Sequence, residues 1–180
     1  MKRRIVVYAV LLSIIAVWLF FYHRVNSKYP ESIEMRCPRG ETVIYEELQY
    51  EITGCEWLDD TELRTRVGRD EEDILDCNYQ AMVVQLNVTN TAEEEKEYSL
   101  YECCVEGCGY TNGISSDLVA TYAGENQLSG TLEPGESITV WLPYLCAETM
   151  VRNDIWKDLK NQEFVVIVSL YPQKTALLVQ

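Results

Sequence analysis

Seven cysteines are the residues best equipped for chemistry, and three of them crowd into one short stretch. YECCVEGCGY, residues 101–110, holds Cys103, Cys104 and Cys108, whereas Cys37, Cys55, Cys77 and Cys146 stand alone. A structural zinc site needs four thiolate or imidazole ligands. The cluster offers one knuckle without a second, and the single histidine, His23, lies beside the apolar N-terminal run. A dithiol redox centre needs C-x-x-C at a helix start, where the dipole lowers a thiol pKa. No C-x-x-C occurs, and Glu102 and Glu106 act in the opposite direction. Stapling is the remaining chemistry. Neighbours on a strand point to opposite faces, so Cys103 and Cys104 diverge, while Gly107 and Gly109 let Cys108 fold back. All seven cysteines are disulfide candidates, with Cys146 or Cys77 as partners for the cluster. The odd count leaves at least one thiol without a partner in the chain.

Other catalytic or binding patterns are thin. Nucleophilic catalysis usually draws on a histidine base, and none lies beyond His23. There is no G-x-x-x-x-G-K-[ST] and no G-x-G-x-x-G. An enzyme is therefore not expected, nor a cofactor. Asp59-Asp60 and Asp70-Glu71-Glu72-Asp73 supply the oxygens that calcium prefers. They lack EF-hand spacing and read first as a solvated acidic loop. Asn87-Val88-Thr89 is a glycosylation sequon inside an expected strand, so no glycan is expected there. Tyr110, Tyr122, Tyr144 and Trp141 could line a groove for a glycan or peptide, although sandwich cores are rich in aromatics as well.

The elements that carry these residues begin with a membrane anchor. Residues 5–22, IVVYAVLLSIIAVWLFFY, bear no charge. Eighteen helical residues at about 1.5 Å each reach roughly 27 Å, close to a hydrocarbon core of about 30 Å. The run exceeds a signal-peptide core and is followed by no small-residue cleavage site. It reads as a single-pass anchor, with residues 1–4 as a cytoplasmic head, residues 23–40 as a polar stalk and residues 41–180 as an extracellular domain. Four of the fifteen basic residues lie in residues 1–24, which contain no acid. The remainder carries eleven basic against twenty-nine acidic residues, a formal charge of −18. Such a surface repels nucleic acid and anionic headgroups.

The domain reads as short strands. In residues 82–89, MVVQLNVT, Met82, Val84, Leu86 and Val88 face one way and Gln85, Asn87 and Thr89 the other. Residues 42–55, 98–105, 118–122 and 137–143 read as further strands, and residues 163–171 with 175–179 as a terminal hairpin. LEPGE, residues 132–136, places Pro134 and Gly135 as a type II turn requires. Residues 153–161 suggest a short helix, and residues 56–77 a long acidic loop or a helix near 61–66. Seven or eight strands with little helix indicate an all-β, two-layer sandwich.

Three segments in order, VVQLNVTNTAEEE, LEPGESITVWLPY and EFVVIVSLYPQKTALLV, resemble a family of extracytoplasmic domains in Gram-positive bacteria. Those domains are membrane- or lipid-anchored, have a telokin-like immunoglobulin fold and mostly lack an assigned function. The hallmark V-x-L-x-V-x-N ends here at Asn90. The resemblance covers about 100 residues and implies an immunoglobulin-like sandwich outside the membrane. It does not account for the cysteines. The expected function is a non-catalytic interaction module for a protein or cell-envelope partner. The alternative is a ligand or cation sensor that uses acidic loops or aromatic clefts.

Overall fold

A computed structural model describes residues 2–67, 77–122 and 126–179. It contains two compact units, residues 1–33 and residues 34–180. The first is dominated by helix α1 (Lys2–Lys28). Residues 4–28 of α1 have a mean hydropathy of 2.6 over their most apolar window and bury none of it, so the helix is long and apolar enough to cross a membrane. The helix extends past the expected run of residues 5–22.

The second unit is a β-sandwich. One sheet has five strands in the order β1 (Ile33–Cys37), β11 (Gln173–Leu178), β10 (Val165–Ser169), β6 (Cys104–Gly107), β7 (Tyr110–Gly113). The other has four, in the order β2 (Thr42–Tyr45), β3 (Leu48–Leu58), β4 (Tyr79–Asn90), β9 (Ser137–Ala147), and β5 (Lys96–Ser99) pairs with β8 (Ser129–Leu132) at one end. The core lies between the sheets. Val84, Leu86 and Val88 of β4 and Val140, Leu142 and Tyr144 of β9 meet Val105, Val166 and Leu177 of the five-stranded sheet. The alternation read in residues 82–89 places Met82, Val84, Leu86 and Val88 in that core as expected.

Ala81 and Val83, on the other face of β4, are also fully buried. Helices α2 (Asp60–Val67) and α3 (Ser116–Val119) cover that face through Leu63 and Leu118. Helix α2 forms where a helix near residues 61–66 was expected, and its start is specified by a capping box. The Glu62 backbone N–H donates to Asp59 Oδ1 at 3.0 Å, and the Asp59 N–H donates to Glu62 Oε2 at 2.9 Å.

Among the described residues there are eleven strands rather than seven or eight, and the differences have local causes. Residues 42–55 contain two strands because Glu46 and Glu47 turn the chain, both with left-handed backbone (φ 51° and 66°). Tyr45 pairs directly with Leu48 across them. Residues 98–105 also split, at a turn closed by the Cys103 N–H on the Leu100 carbonyl at 3.0 Å. Residues 118–122 are helical, α3 running into a 3-10 turn, not a strand. The expected helix at 153–161 divides into α4 (Asn153–Trp156) and a 3-10 turn at Leu159–Asn161. Most of the expected stalk's last residues form β1, on the edge of the larger sheet. Gly135 has φ 77°, and the Glu136 N–H donates to the Glu133 carbonyl at 2.9 Å, as the Pro-Gly turn requires.

Candidate functional site

The cysteines do not staple the fold: all seven are free thiols. The structure forms no bridge within Cys103, Cys104 and Cys108. Cys103 is buried in the main core, whereas Cys104, on the opposite face, packs outside the larger sheet near Val165 and Ile167. Cys108 sits at the tip of the β6–β7 hairpin with φ 56°, and its thiol donates to Gln162 Oε1 at 3.6 Å. Cys37 and Cys146 are buried, and Cys55 and Cys77 are half-buried. Burial pushes the Cys103 thiol up to about 12, with Cys104 and Glu102 adding to the effect. Burial likewise raises Cys55 and Cys146 to about 11. Protonated, buried thiols are poor nucleophiles. In denaturant without reductant, a thiol reagent is therefore expected to titrate seven groups. At neutral pH the native chain should leave Cys103 and Cys146 unreacted. A denatured count of five or fewer would show bridges.

The expected acidic and aromatic constellations also resolve. Asp59 caps α2, and Asp60 pairs with Arg64 at 2.6 Å and accepts the Tyr79 N–H at 3.2 Å. Both carboxylates serve the helix. Asp70, Glu71, Glu72 and Asp73 lie outside the described residues. Among the described residues, no group of three or more His, Cys, Asp or Glu is placed to hold a metal ion. Tyr110, Tyr122, Tyr144 and Trp141 do not share a groove. Tyr144 is enclosed, and the Tyr110 hydroxyl donates to the Leu145 carbonyl inside the fold. Tyr122 stacks on Trp141 at 5.9 Å on the outer face, beneath the Arg66 guanidinium.

A different set of aromatic residues forms a cleft of about 540 Å³ at the end of the sandwich, within the usual range for ligand sites. Three segments build it. The β2–β3 hairpin contributes Tyr45, Glu46 and Tyr50; β5 and the following turn contribute Glu97, Tyr98, Ser99, Glu102 and Cys103; the end of β10 contributes Leu170 and Tyr171. The hairpin is pinned at Glu47, whose carbonyl accepts the Thr91 N–H at 2.9 Å and the Thr91 hydroxyl at 2.7 Å. Its carboxylate pairs with Lys96 at 2.5 Å. Tyr98 is wedged in place, its hydroxyl donating to the Gln127 carbonyl at 3.1 Å. Leu170 and Tyr171 are 61% and 48% exposed at the rim.

The cleft is one-sided in charge. Its lining contains Glu46, Glu97 and Glu102 and no Lys, Arg or His. None of the three carboxylates makes an ion pair among the described residues. Tyr50 is 6% exposed, and its hydroxyl has no hydrogen-bond partner among the described residues. Burial, Cys103 and Glu46 all raise its pKa, so it stays a neutral phenol. Among the described residues, the fully enclosed side-chain oxygens without partners are those of Tyr144 and Thr175. The Tyr50 hydroxyl is not among them, so it remains accessible from the cleft.

The family model of a domain of unknown function, DUF5028, matches residues 40–175. The chain belongs to the DUF5028 family. The match spans the candidate cleft and nearly all of the sandwich. This DUF5028 chain is similar in structure to an uncharacterized β-sandwich protein from Clostridium difficile 630, with 11% identity and a TM-score of 0.45, over 83% of this chain and 97% of that one. It is also similar to the yjhA protein from Bacillus subtilis, with 12% identity and a TM-score of 0.44, over 76% and 83% of the two chains. A conserved hypothetical protein from Bacillus anthracis shows 12% identity and a TM-score of 0.44, over 78% and 92%. Among curated proteins, none matches the chain.

Proposed function

We propose that this DUF5028 chain is a membrane-anchored, non-catalytic recognition domain that works outside the cytoplasm, with the tyrosine–glutamate cleft as its binding site. The cleft carries the reading. It combines exposed apolar rim residues, Leu170 and Tyr171, with carboxylates that make no ion pair among the described residues. Apolar surface left at a rim and charge left unpaired have no stabilising role in a sandwich, whereas both suit a partner. The apolar length of α1 supports an uncleaved anchor. The order of the three sequence segments supports a telokin-like immunoglobulin domain of the kind anchored in Gram-positive envelopes. High thiol pKa values and the absence of histidine beyond His23 favour recognition over catalysis.

One experiment on intact bacterial cells expressing the full chain tests the reading. Externally added protease is expected to remove the domain. Amines, sugars and carboxylates of low molecular weight are then supplied one class at a time. At least one class is expected to slow that cleavage in the native chain but not in Ser99→Trp, which fills the cleft. A domain cut only after the cells are broken would sink the topology. Protection by no class, or protection unaffected by Ser99→Trp, would sink the recognition site.

A further inference from the structure

We infer that the cleft binds an organic ammonium group that carries N–H donors, either free in solution or at the end of a lysine side chain; this rests on the recognition reading above. Three independent observations select that chemistry. First, the lining offers Glu46, Glu97 and Glu102 with no balancing cation, and Lys96, beside Glu97 in the chain, is held by Glu47. Second, the carboxylates are too dispersed for a bare metal ion, since no described cluster of acidic and thiol ligands is placed to hold one. A cation with an extended carbon skeleton can reach separated carboxylates, and its methylenes suit tyrosine walls. Third, Tyr50 is a 6% exposed residue that lines the cleft, and its hydroxyl keeps some accessible surface and has no hydrogen-bond partner among the described residues. A neutral phenol oxygen in that position can accept from an ammonium N–H. A quaternary ammonium has no such donor, so the site discriminates against it.

The backbone at the rim supports a preformed site. Glu46 and Glu47 both hold left-handed conformations, which are strained for residues other than glycine. A two-residue hairpin turn ordinarily selects Asn-Gly or Asp-Gly. Here the turn keeps Glu46 at the cleft instead, while its neighbour Glu47 is clamped by Thr91, which follows β4, and by Lys96 of β5.

Titration calorimetry on the full chain in a non-ionic detergent provides the test, with spermidine as the free amine and Nα-acetyl-lysine methylamide as the side-chain mimic. Saturable binding of at least one is expected, weakening with added salt. The tighter of the two identifies the source of the ammonium group. Glu97→Gln with Glu102→Gln is expected to weaken it by about fivefold or more. Tyr50→Phe, which keeps the ring, is expected to weaken it about threefold or more, with circular dichroism confirming the native fold. Tetramethylammonium and calcium should bind more weakly than the amine.

Glu93→Gln with Glu95→Gln removes the same charge from an exposed loop. An equal loss of binding in that pair would overturn the site in favour of general attraction to an acidic surface. Absence of saturable binding by either amine would overturn the inference as well. If a sugar or carboxylate protects the chain in a Ser99-dependent way while amines do not bind, the ammonium inference fails and the recognition reading stands. If no class acts through Ser99, both fail.

Discussion

Replacing Gly107 with alanine is expected to lower the midpoint of thermal unfolding by about 10 °C, measured by calorimetry on the full chain in detergent. The backbone angle is not the reason, because Gly107 lies within strand β6 at a conformation open to any residue. The reason is space. A Cβ at this position would fall 2.5 Å from the Glu163 carbonyl oxygen and 2.5 Å from Phe164 Cδ1. Phe164 is 2% exposed and meets Trp57 at a ring distance of 5.7 Å. The ring cannot swing away without opening the core, and the carbonyl belongs to the chain entering β10. Overpacking of this kind costs about 3 kcal/mol. Gly109 supplies the contrast. Its Cβ would meet nothing within 4 Å, but its φ is 75°. Gly109→Ala should therefore cost about 1–2 kcal/mol, from backbone strain alone. Equal midpoints for Gly107→Ala and the native chain would refute the close approach of β6 to the start of β10.

The second large effect is expected at Asn90. This residue is fully buried, and its side chain makes three hydrogen bonds. Nδ2 donates to the Glu94 and Leu132 carbonyls, both at 2.8 Å, and Oδ1 accepts the Ala92 N–H at 2.8 Å. Its backbone adds two more, donating to the Glu136 carbonyl and accepting from the Gly135 N–H, each at 3.0 Å. The side chain thus ties the acidic loop after β4 to β8, and the backbone of the same residue holds the Pro-Gly turn. Asn90→Ala removes three bonds inside the fold and is expected to cost about 3 kcal/mol or more. Asn90→Asp should be worse at neutral pH. It keeps one acceptor, loses both donations and sets a buried carboxylate against two carbonyl oxygens. Denaturant unfolding of the two variants checks both the size and the order. An Asn90→Asp chain as stable as the native one would refute the donor assignment.

These two positions show what could be read in advance. Asn90 closes the V-x-L-x-V-x-N pattern, and the alternation before it is local: Met82, Val84, Leu86 and Val88 repeat with period two whatever they pair with. The Pro134-Gly135 turn is local for the same reason. Residues 118–122 misled because a short, largely apolar run between turns fits a strand or a helix equally well. Its fate was decided by the need to cover Ala81 and Val83 on the outer face of β4. Residues 98–105 misled because Leu100 and Cys103 are apolar and buried although they flank a turn. The cysteines were hard to read because composition suggests bridges, whereas pairing depends on where each sulfur points.

The cleft was the least legible feature. Tyr50 reads as an ordinary inward strand residue, Glu97 and Glu102 as solvated charge, and Tyr171 as the end of a hairpin. They meet only because β2–β3, β5 and β10 converge at one end of the sandwich, through contacts more than a hundred residues apart in the chain. No local period encodes such a meeting. The aromatic signal was present in twelve tyrosines, but which four would line one cleft depended on the sheet order.

The glutamate pair that turns β2 into β3 has a consequence for how this domain can change. Glu46→Asn with Glu47→Gly would place residues suited to left-handed backbone at both positions. It would relax the hairpin and at the same time strip a carboxylate from the cleft and the anchor point for Lys96. Under the proposed recognition role, a relaxed hairpin and a cleft carboxylate therefore compete for the same two adjacent positions. If the proposed recognition role holds, a relative with Asn-Gly at this turn is expected to have a sturdier hairpin and a weaker cleft.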